Sequence, residues 1–318
     1  MPPLLISLEK RKGIQRSPHN FLFHRAASTH LGFVKLSSQE IERAVRAALN
    51  EDIGSGDVTS LATVPASASF TVVMRAREPM VVAGLAFAET AFRSLSSKVR
   101  IKRLTRDGQS LKAGAALFQI TGPAHAILSA ERVALNFVQR FSGVATLTAQ
   151  YVAAIKGTRA QILDTRKTTP GWRRFEKYAV ACGGGRNHRV GLFDMVLIKD
   201  NHLAALRDAK PNAVAAAVKR ARGKFPKLKI EVEADALSQV KQAVDAGADI
   251  ILLDNMSPAL LRQAVAIVGG RAKTEASGGV KLKTVRAIAQ TGVDFISAGA
   301  LTHSARAVDI GLDFEVAG

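Results

Sequence analysis

The sequence is poor in cysteine and in long apolar segments. Cys182 is the single cysteine among 318 residues, which excludes an internal disulfide and favours a reducing compartment such as the cytoplasm. It precedes Gly183 with no evident base partner, so we interpret it as a small packing residue and not as a nucleophile. No apolar run approaches the roughly 18 residues that a membrane helix needs. These absences predict a cytoplasmic globular protein without a membrane role.

Acidic residues are also scarce. The chain has 26 Asp and Glu against 45 Lys and Arg, which gives a formal net charge of +19. A charge of this sign permits a nucleic acid, an anionic membrane surface or a polyanionic small substrate as partner. Basic segments such as 219–229 lack the interleaved aromatic residues of a nucleic-acid surface. We therefore expect a small anionic substrate and no nucleic acid.

The first 36 residues are basic, nearly free of acids and without sustained periodicity. Such a composition fits a transit-like segment, a disordered extension or translation from an upstream start codon. We favour the last two readings, and interpret residues 1–36 as a disordered basic extension whose role stays open.

An amino-terminal α+β domain with a linking helix is predicted over residues 37–158. Ser37 followed by Glu40 is typical of a capping box at the start of a helix. Between residues 70 and 122, β-rich runs alternate with turns around one helical segment at 87–95.

The linking helix is predicted over residues 131–155, because apolar side chains recur there at spacings of three, four and seven. Its other face carries polar groups, including Arg132. Ser142 and Gly143 are expected to loosen its middle.

Beyond residue 160, apolar strand-like runs alternate with amphipathic segments. Continuous apolar strands separated by helices predict a parallel sheet, and a long series of them predicts a TIM-like α/β barrel. Because six or seven strands are countable, we expect an incomplete barrel over residues 159–304. A strand within 305–318 is expected to return to the amino-terminal domain. The runs are 161–164, 195–199, 228–233, 250–254, 272–276 and 295–298.

Polar groups stand where these strands end, which is where barrel enzymes carry their active sites. Arg166 and Lys167 follow the first strand, and Lys199 ends the second. Glu233 and Asp254 end the third and fourth. The two carboxylates could balance nearby lysines, or could hold ribose hydroxyls or a Mg²⁺ ion.

Glycine-rich turns follow the last two strands. The first is SGG at 277–279 and the second is AGA at 298–300. After the final strands of a barrel, such turns let backbone N–H groups approach a phosphate closely. The pair therefore predicts a phosphate site.

From residue 37 onward, ordered motifs resemble the quinolinate phosphoribosyltransferase family. They are TRKTTPG, CGGGRNHRVGLFD, LIKDNH, EVEAD, LLDN, EASGG and ISAGALTHS. The resemblance implies an amino-terminal α+β domain and an incomplete α/β barrel. It also implies transfer of phosphoribosyl from phosphoribosyl pyrophosphate to quinolinate with decarboxylation, giving nicotinate mononucleotide, diphosphate and CO2 for NAD biosynthesis.

The resemblance further implies Mg²⁺ accompanying the diphosphate, no organic cofactor, and a homodimer or dimer-based hexamer with a shared active site. In the family, an arginine at the position of Arg132 reaches into the neighbouring subunit's site. The planar forks of Arg166 and Arg189 suit a pyridine dicarboxylate, whereas Lys167 and Lys199 suit the diphosphate.

These considerations assign catalytic roles to Lys167, Lys199, Glu233 and Asp254, the last two also as Mg²⁺ ligands. The expected substrate-binding residues are Arg132, Thr165, Arg166, His188, Arg189, Ser277, Gly278, Gly279, Ala298, Gly299, Ala300 and His303.

Two alternatives stay open. One is a paralogous phosphoribosyltransferase of molybdenum-transport operons, whose substrate is uncertain. The other is a non-catalytic barrel that binds anions or nucleic acid through its net charge.

Overall fold

The computed structural model of the protein describes residues 34–314. Residues 1–33, where most of the predicted basic extension lies, and residues 315–318 are outside the described part. The strands are β1 Ser69–Ala76, β2 Met80–Val81, β3 Arg100–Arg103, β4 Ser110–Leu111, β5 Ala116–Pro123, β6 Gln161–Leu163, β7 Val196–Ile198, β8 Ile230–Ala234, β9 Ile250–Asp254, β10 Lys273–Ser277, β11 Phe295–Ser297 and β12 Ile310–Phe314. The helices are α1 Ser38–Ile53, α2 Val58–Thr63, α3 Leu85–Leu95, α4 Ala124–Ala154, α5 Arg173–Cys182, α6 Asp200–Ala204, α7 Ala213–Lys224, α8 Leu237–Asp245, α9 Pro258–Val268, α10 Val285–Ala289 and α11 Ala300–His303.

Helix α1 begins at the predicted capping box. The Ser37 hydroxyl accepts the Glu40 amide at 3.2 Å, and the Glu40 carboxylate accepts the Ser37 amide at 2.9 Å. Two amide groups that the helix leaves unpaired are thereby satisfied. The capping-box prediction is confirmed.

The amino-terminal sheet is antiparallel, in the order β12-β1-β5-β3. Strand β12 pairs with β1 from Val72 opposite Phe314 to Ala76 opposite Ile310. A late segment of the chain thus completes a sheet built from early ones. The domain limits proposed from the sequence are 37–158, 159–304 and 305–318.

Helix α4 is 31 residues long and begins seven residues earlier than predicted, directly after Pro123. The expected loosening of its middle is wrong. The Ser142 hydroxyl accepts the Ala83 amide at 3.0 Å. A Cβ added to Gly143 would lie 1.9 Å from the Arg306 carbonyl oxygen, so glycine is needed for that close contact. Both residues serve packing, and the helix continues through them.

The second sheet contains six parallel strands in the order β6-β11-β10-β9-β8-β7. Beside its end strand β6, Arg186 forms an isolated parallel bridge with Leu163. All six predicted strand runs lie within two residues of the observed strands. The sheet is an incomplete α/β barrel beside an α+β domain, which confirms the predicted fold class.

Within residues 34–314, no helix has the length and apolar character required to cross a membrane.

Candidate active site

A cavity of about 930 Å³ opens at the carboxyl ends of the barrel strands. It brings together every predicted site residue except Arg132, whose side chain is exposed on α4 outside this cavity. The residues brought together are Thr165, Arg166, Lys167, His188, Arg189, Lys199, Glu233, Asp254, Ser277, Gly278, Gly279, Ala298, Gly299, Ala300 and His303.

Strand register sets the depth of each acidic group. Glu233, Leu252 and Glu275 stand side by side on β8, β9 and β10. Asp254 and Ser277 form the next pair that faces the same way, two residues nearer the mouth. All five line the cavity, so its wall is apolar and acidic at mid-depth and polar at the rim.

Two guanidinium groups that face the cavity, those of Arg166 and Arg189, have no carboxylate partner among residues 34–314. Arg166 Nε is buried and has no hydrogen-bond partner among the described residues. Burial and the neighbouring charge of Arg166 lower the pKa of Arg189. Like charges held together in this way are stabilised by an anion with planar oxygen pairs, such as a carboxylate.

The backbone of His188 is fixed from below by an ion pair between Asp164 and Lys177, whose side chains are both fully buried. Asp164 accepts the His188 amide at 2.8 Å, and Lys177 Nζ donates to the His188 carbonyl oxygen at 3.0 Å. Asn187 Nδ2 donates to the same carboxylate at 2.7 Å. Both peptide groups of His188 are therefore held in one position.

The His188 ring lies between two carboxylates inside the barrel. Its Nε2 is 3.0 Å from Glu231 and 3.5 Å from Glu275. Burial lowers the pKa of the imidazole, but the charges of Glu275 and Glu231 together raise it. The Arg189 amide donates to Nδ1 at 2.8 Å, which requires an unprotonated Nδ1. The ring is therefore neutral, with its proton on Nε2 and directed at Glu231.

The two glycine turns approach their neighbours too closely for a side chain. Gly278 has φ 90°, and an added Cβ would lie 2.1 Å from Asn255 Oδ1 and 2.8 Å from its amide nitrogen. At Gly299 an added Cβ would meet Lys167 Cδ at 3.0 Å. Both glycines line the cavity, and the lack of a side chain lets a ligand approach the backbone closely there.

The loop that carries Lys167 is clamped by Arg140 and Glu176. Arg140 donates to Glu176 Oε1 at 2.6 Å and to the Thr302 carbonyl oxygen at 2.5 Å. Glu176, which is fully buried, accepts the Thr169 amide at 3.0 Å. The Thr302 hydroxyl donates to the Lys167 carbonyl oxygen at 2.6 Å. This network joins α4, α5 and α11 to the loop.

Family models match both halves of the chain. "Quinolinate phosphoribosyl transferase, N-terminal domain" matches residues 57–142, and "Quinolinate phosphoribosyl transferase, C-terminal domain" matches residues 144–313. The chain belongs to the quinolinate phosphoribosyltransferase family. The resemblance stated from the sequence is therefore confirmed.

Individual members of the family are similar over most of their length. A chloroplastic nicotinate-nucleotide pyrophosphorylase [carboxylating] of Arabidopsis thaliana is 42% identical, over 87% of this chain and 83% of its own. A probable enzyme of the same name from Bacillus subtilis is 42% identical, over 83% of this chain and 89% of its own. The solved nicotinate-nucleotide pyrophosphorylase of Francisella tularensis is 39% identical with a TM-score of 0.85, covering 90% of this chain and 100% of its own.

The carboxylates of Glu233 and Asp254 have the chemistry of Mg²⁺ ligands. Glu233 forms an ion pair with Lys199 through Oε2, and Asp254 Oδ2 accepts the Asn255 side chain at 2.7 Å. Each group keeps its second oxygen for a ligand, and Mg²⁺ prefers one or two carboxylates plus substrate oxygens. Within residues 34–314 these two do not belong to a cluster of three such ligands.

Sequence reasoning missed Glu231 and Glu275 as site residues. Glu231 could have been found, because it precedes Glu233 by two residues and strand alternation places both on one face. Glu275 could have been found in the same way, because it begins the EASGG motif and precedes Ser277 by two residues, so strand alternation places both on one face.

Proposed function

We propose that this protein transfers the phosphoribosyl group of phosphoribosyl pyrophosphate to quinolinate and releases diphosphate, CO2 and nicotinate mononucleotide, a step of NAD biosynthesis. One observation carries the proposal. In this member of the family, two guanidinium groups without carboxylate partners and two glycine turns line the same cavity. The first pair suits a dicarboxylate, and the turns suit the phosphate of the sugar donor.

The arrangement orients the two substrates for direct displacement. Arg166 and Arg189 hold the ring carboxylates, and the ring nitrogen of quinolinate faces C1 of the ribose. His188 lies beside them and lines the cavity, but both of its ring nitrogens are already hydrogen-bonded within the protein. The 5′-phosphate lies against the turns at 277–279 and 298–300. Holding both reactants in line removes much of the entropic barrier, and no covalent enzyme intermediate is needed.

Charge on the departing diphosphate is offset by Lys167 and Lys199. The carboxylates of Glu233 and Asp254 hold the ribose hydroxyls and supply the protein ligands of Mg²⁺. When bound with the diphosphate, Mg²⁺ would neutralise further charge as the C1–oxygen bond breaks. Removing divalent cations with a chelator is expected to stop turnover, and adding Mg²⁺ is expected to restore it.

The shared site and the compartment are part of this proposal. Arg132 does not line the cavity of its own chain, and its exposed position on α4 leaves it free to enter the site of a second copy. A homodimer, alone or within a hexamer, would supply that copy. The single cysteine favours a cytoplasmic or other reducing compartment, and fractionation of cells that express the protein tests this.

Diphosphate release with quinolinate, with nicotinate and without acceptor tests the function. Release with quinolinate alone, together with CO2, supports the proposal. Release with a different acceptor would favour the molybdenum-operon type of enzyme. Failure to release diphosphate with any acceptor would favour the non-catalytic barrel.

A further inference from the structure

The reaction contains a step that the residues named so far do not perform. When CO2 leaves, the bond between C2 of the ring and its carboxyl carbon breaks, and the electron pair stays on C2. That carbon must then gain a proton to give nicotinate mononucleotide. The step therefore needs an acid beside C2.

Glu275 is placed for this task. Its side chain is 1% exposed, yet it lines the cavity, and neither carboxylate oxygen has a hydrogen-bond partner among the described residues. Buried carboxylates are normally paired, so an unpaired one facing a substrate cavity is unusual. A buried carboxyl group that lines the cavity and has no hydrogen-bond partner in the protein is suited to donate its proton to a substrate.

The position of Glu275 matches the position of C2. On one side, its Oε2 lies 3.5 Å from Nε2 of His188, beside the residues that hold the ring carboxylates. On the other side, it precedes Ser277 by two residues of β10, about 7 Å along the strand, where the phosphate turn begins. In the product the ring nitrogen is bonded to the ribose, and C2 is bonded to that nitrogen. C2 therefore lies between the residues that hold the ring carboxylates and the turn that holds the phosphate.

Glu275 carries a proton at neutral pH. Burial and the nearby charge of Glu231 raise the pKa of Glu275 to about 8. The charged or titratable groups that face it are Glu231 from β8 and His188 from the loop after α5, whereas its strand partners Leu252 and Phe295 carry no charge. Protonated Glu275 no longer raises the pKa of His188, in agreement with the neutral ring assigned above.

We propose that Glu275 is the acid that protonates C2 after CO2 leaves, and this inference rests on the proposed function. The electron pair on C2 takes the carboxyl proton and forms the C2–H bond. Glu275 is left as a carboxylate and takes a proton from solvent before the next turnover. Glu231 holds the proton of His188 and keeps a negative charge near Glu275, and so acts as a positioning residue.

Single-turnover quench experiments with Glu275→Gln test the proposal. The amide keeps the shape of the side chain but is not an acid. We expect diphosphate release close to the wild-type rate and nicotinate mononucleotide formation about 10²-fold slower, in the range general acids contribute. A C2 carbanion that is not protonated recombines with the CO2 still held in the site, so the nucleotide that carries both carboxylates should accumulate. Glu275→Asp should restore part of the second step.

Glu231→Gln is the matched control. It also removes a buried carboxylate of the cluster and is expected to lower the pKa of Glu275, but it leaves the Glu275 carboxyl in place, so the dicarboxylated nucleotide should accumulate less than in Glu275→Gln. If Glu275→Gln slows diphosphate release and product formation equally, or slows neither, the proposal is wrong. If the wild-type protein itself releases no diphosphate, the proposed function is contradicted.

An isotope measurement does not depend on the folding of Glu275→Gln. Wild-type protein in equal parts of H2O and D2O gives product whose hydrogen-to-deuterium ratio at C2 reports the donor. We expect a ratio that differs from that of protonation by water and that Glu275→Asp preserves. A ratio equal to that of water would overturn the assignment.

Discussion

At the residue scale, the absence of a side chain at Gly278 is what brings β9 and β10 together at the rim of the cavity. The Asn255 side chain and amide nitrogen occupy the space where a Cβ would lie. Since Asn255 also donates its amide to the Ser277 carbonyl oxygen at 2.9 Å, one small residue sets the geometry of the whole turn.

Gly278→Ala is expected to weaken binding of the sugar donor. The positive φ costs about 1–3 kcal/mol for a residue with a side chain, and the collision adds to it. Displacing the turn should raise KM for phosphoribosyl pyrophosphate about tenfold for each ~1.4 kcal/mol of binding free energy that is lost. The control is Gly247→Ala, where φ is 76° but nothing lies within 4 Å of the added Cβ. Equal KM values for both variants would contradict the role of the turn.

Lys167→Arg is expected to lower kcat/KM by about 10²-fold, because a planar fork does not replace a compact ammonium at the diphosphate. Lys229→Arg is the control, since Lys229 pairs with Asp249 at 3.4 Å, away from the cavity. Steady-state diphosphate release measures both. Wild-type turnover in Lys167→Arg would make Lys167 a background charge.

Glu275 also predicts a pH dependence of stability. Its pKa rises from 4.5 to about 8 on folding, so between these values the folded protein holds a proton that the unfolded chain has lost. The stabilisation that this proton gives the fold is fully present below pH 4.5, and it is lost as the pH rises to about 8. Chemical denaturation of wild type and Glu275→Gln should therefore diverge between those pH values in favour of the variant, by about 1.4 kcal/mol per pH unit at most. Parallel curves would mean that Glu275 is ionised in the fold.

At the scale of elements, the clamp of Arg140 and Glu176 joins helices of both proposed domains to one catalytic loop. Glu176→Gln is expected to lower the free energy of unfolding by about 1–3 kcal/mol, because it leaves a partly buried guanidinium without its charged partner. The Lys167 loop should loosen as well, so kcat should fall even at temperatures where the variant is folded. Denaturation and turnover, measured together, test both effects.

The control for the clamp is Glu89→Gln. It breaks a more exposed pair with Arg103, and such pairs contribute about 0–1 kcal/mol. If Glu176→Gln behaves like this control, the network does not hold the loop.

The sequence predicts an element well when the residues that determine it lie within the element, and poorly when they lie far away in the chain. The barrel strands were placed within two residues because buried parallel strands are continuous apolar runs with polar residues at their ends. The start of α4 was missed, because residues 124–130 carry no capping residue and no helix-start signal other than Pro123. Ser142 and Gly143 were misread because their partners, Ala83 and Arg306, are distant in sequence.

The same limit applies to the site. Residues at strand ends were predicted together because parallel strands end at one rim, and the structure places them in one cavity. The cluster of His188, Glu231 and Glu275 joins a loop to two strands that are not neighbours in the sheet. Only tertiary structure brings these three groups together, so the sequence alone does not predict that the two carboxylates face His188.

At the scale of the whole molecule, the exposed side chain of Arg132 predicts complementation between subunits. Arg132→Ala and Lys199→Ala should each be inactive. Mixed after reversible dissociation, they should recover about a quarter of wild-type activity, since half of randomly formed dimers are mixed and one of their two sites is intact. A chain carrying both substitutions, mixed with either single variant, should recover none. No recovery in verified mixed dimers would exclude a shared site.

The pairing of β12 with β1 has a consequence for how the protein is made. During synthesis the ribosome delivers β1, β3 and β5 first, but the edge of β1 has no partner until the entire barrel has emerged. Until then that edge is open to nascent chains on neighbouring ribosomes. The amino-terminal domain is thus translated first but completed last. A chaperone that covers unpaired strand edges would benefit this protein most before translation ends.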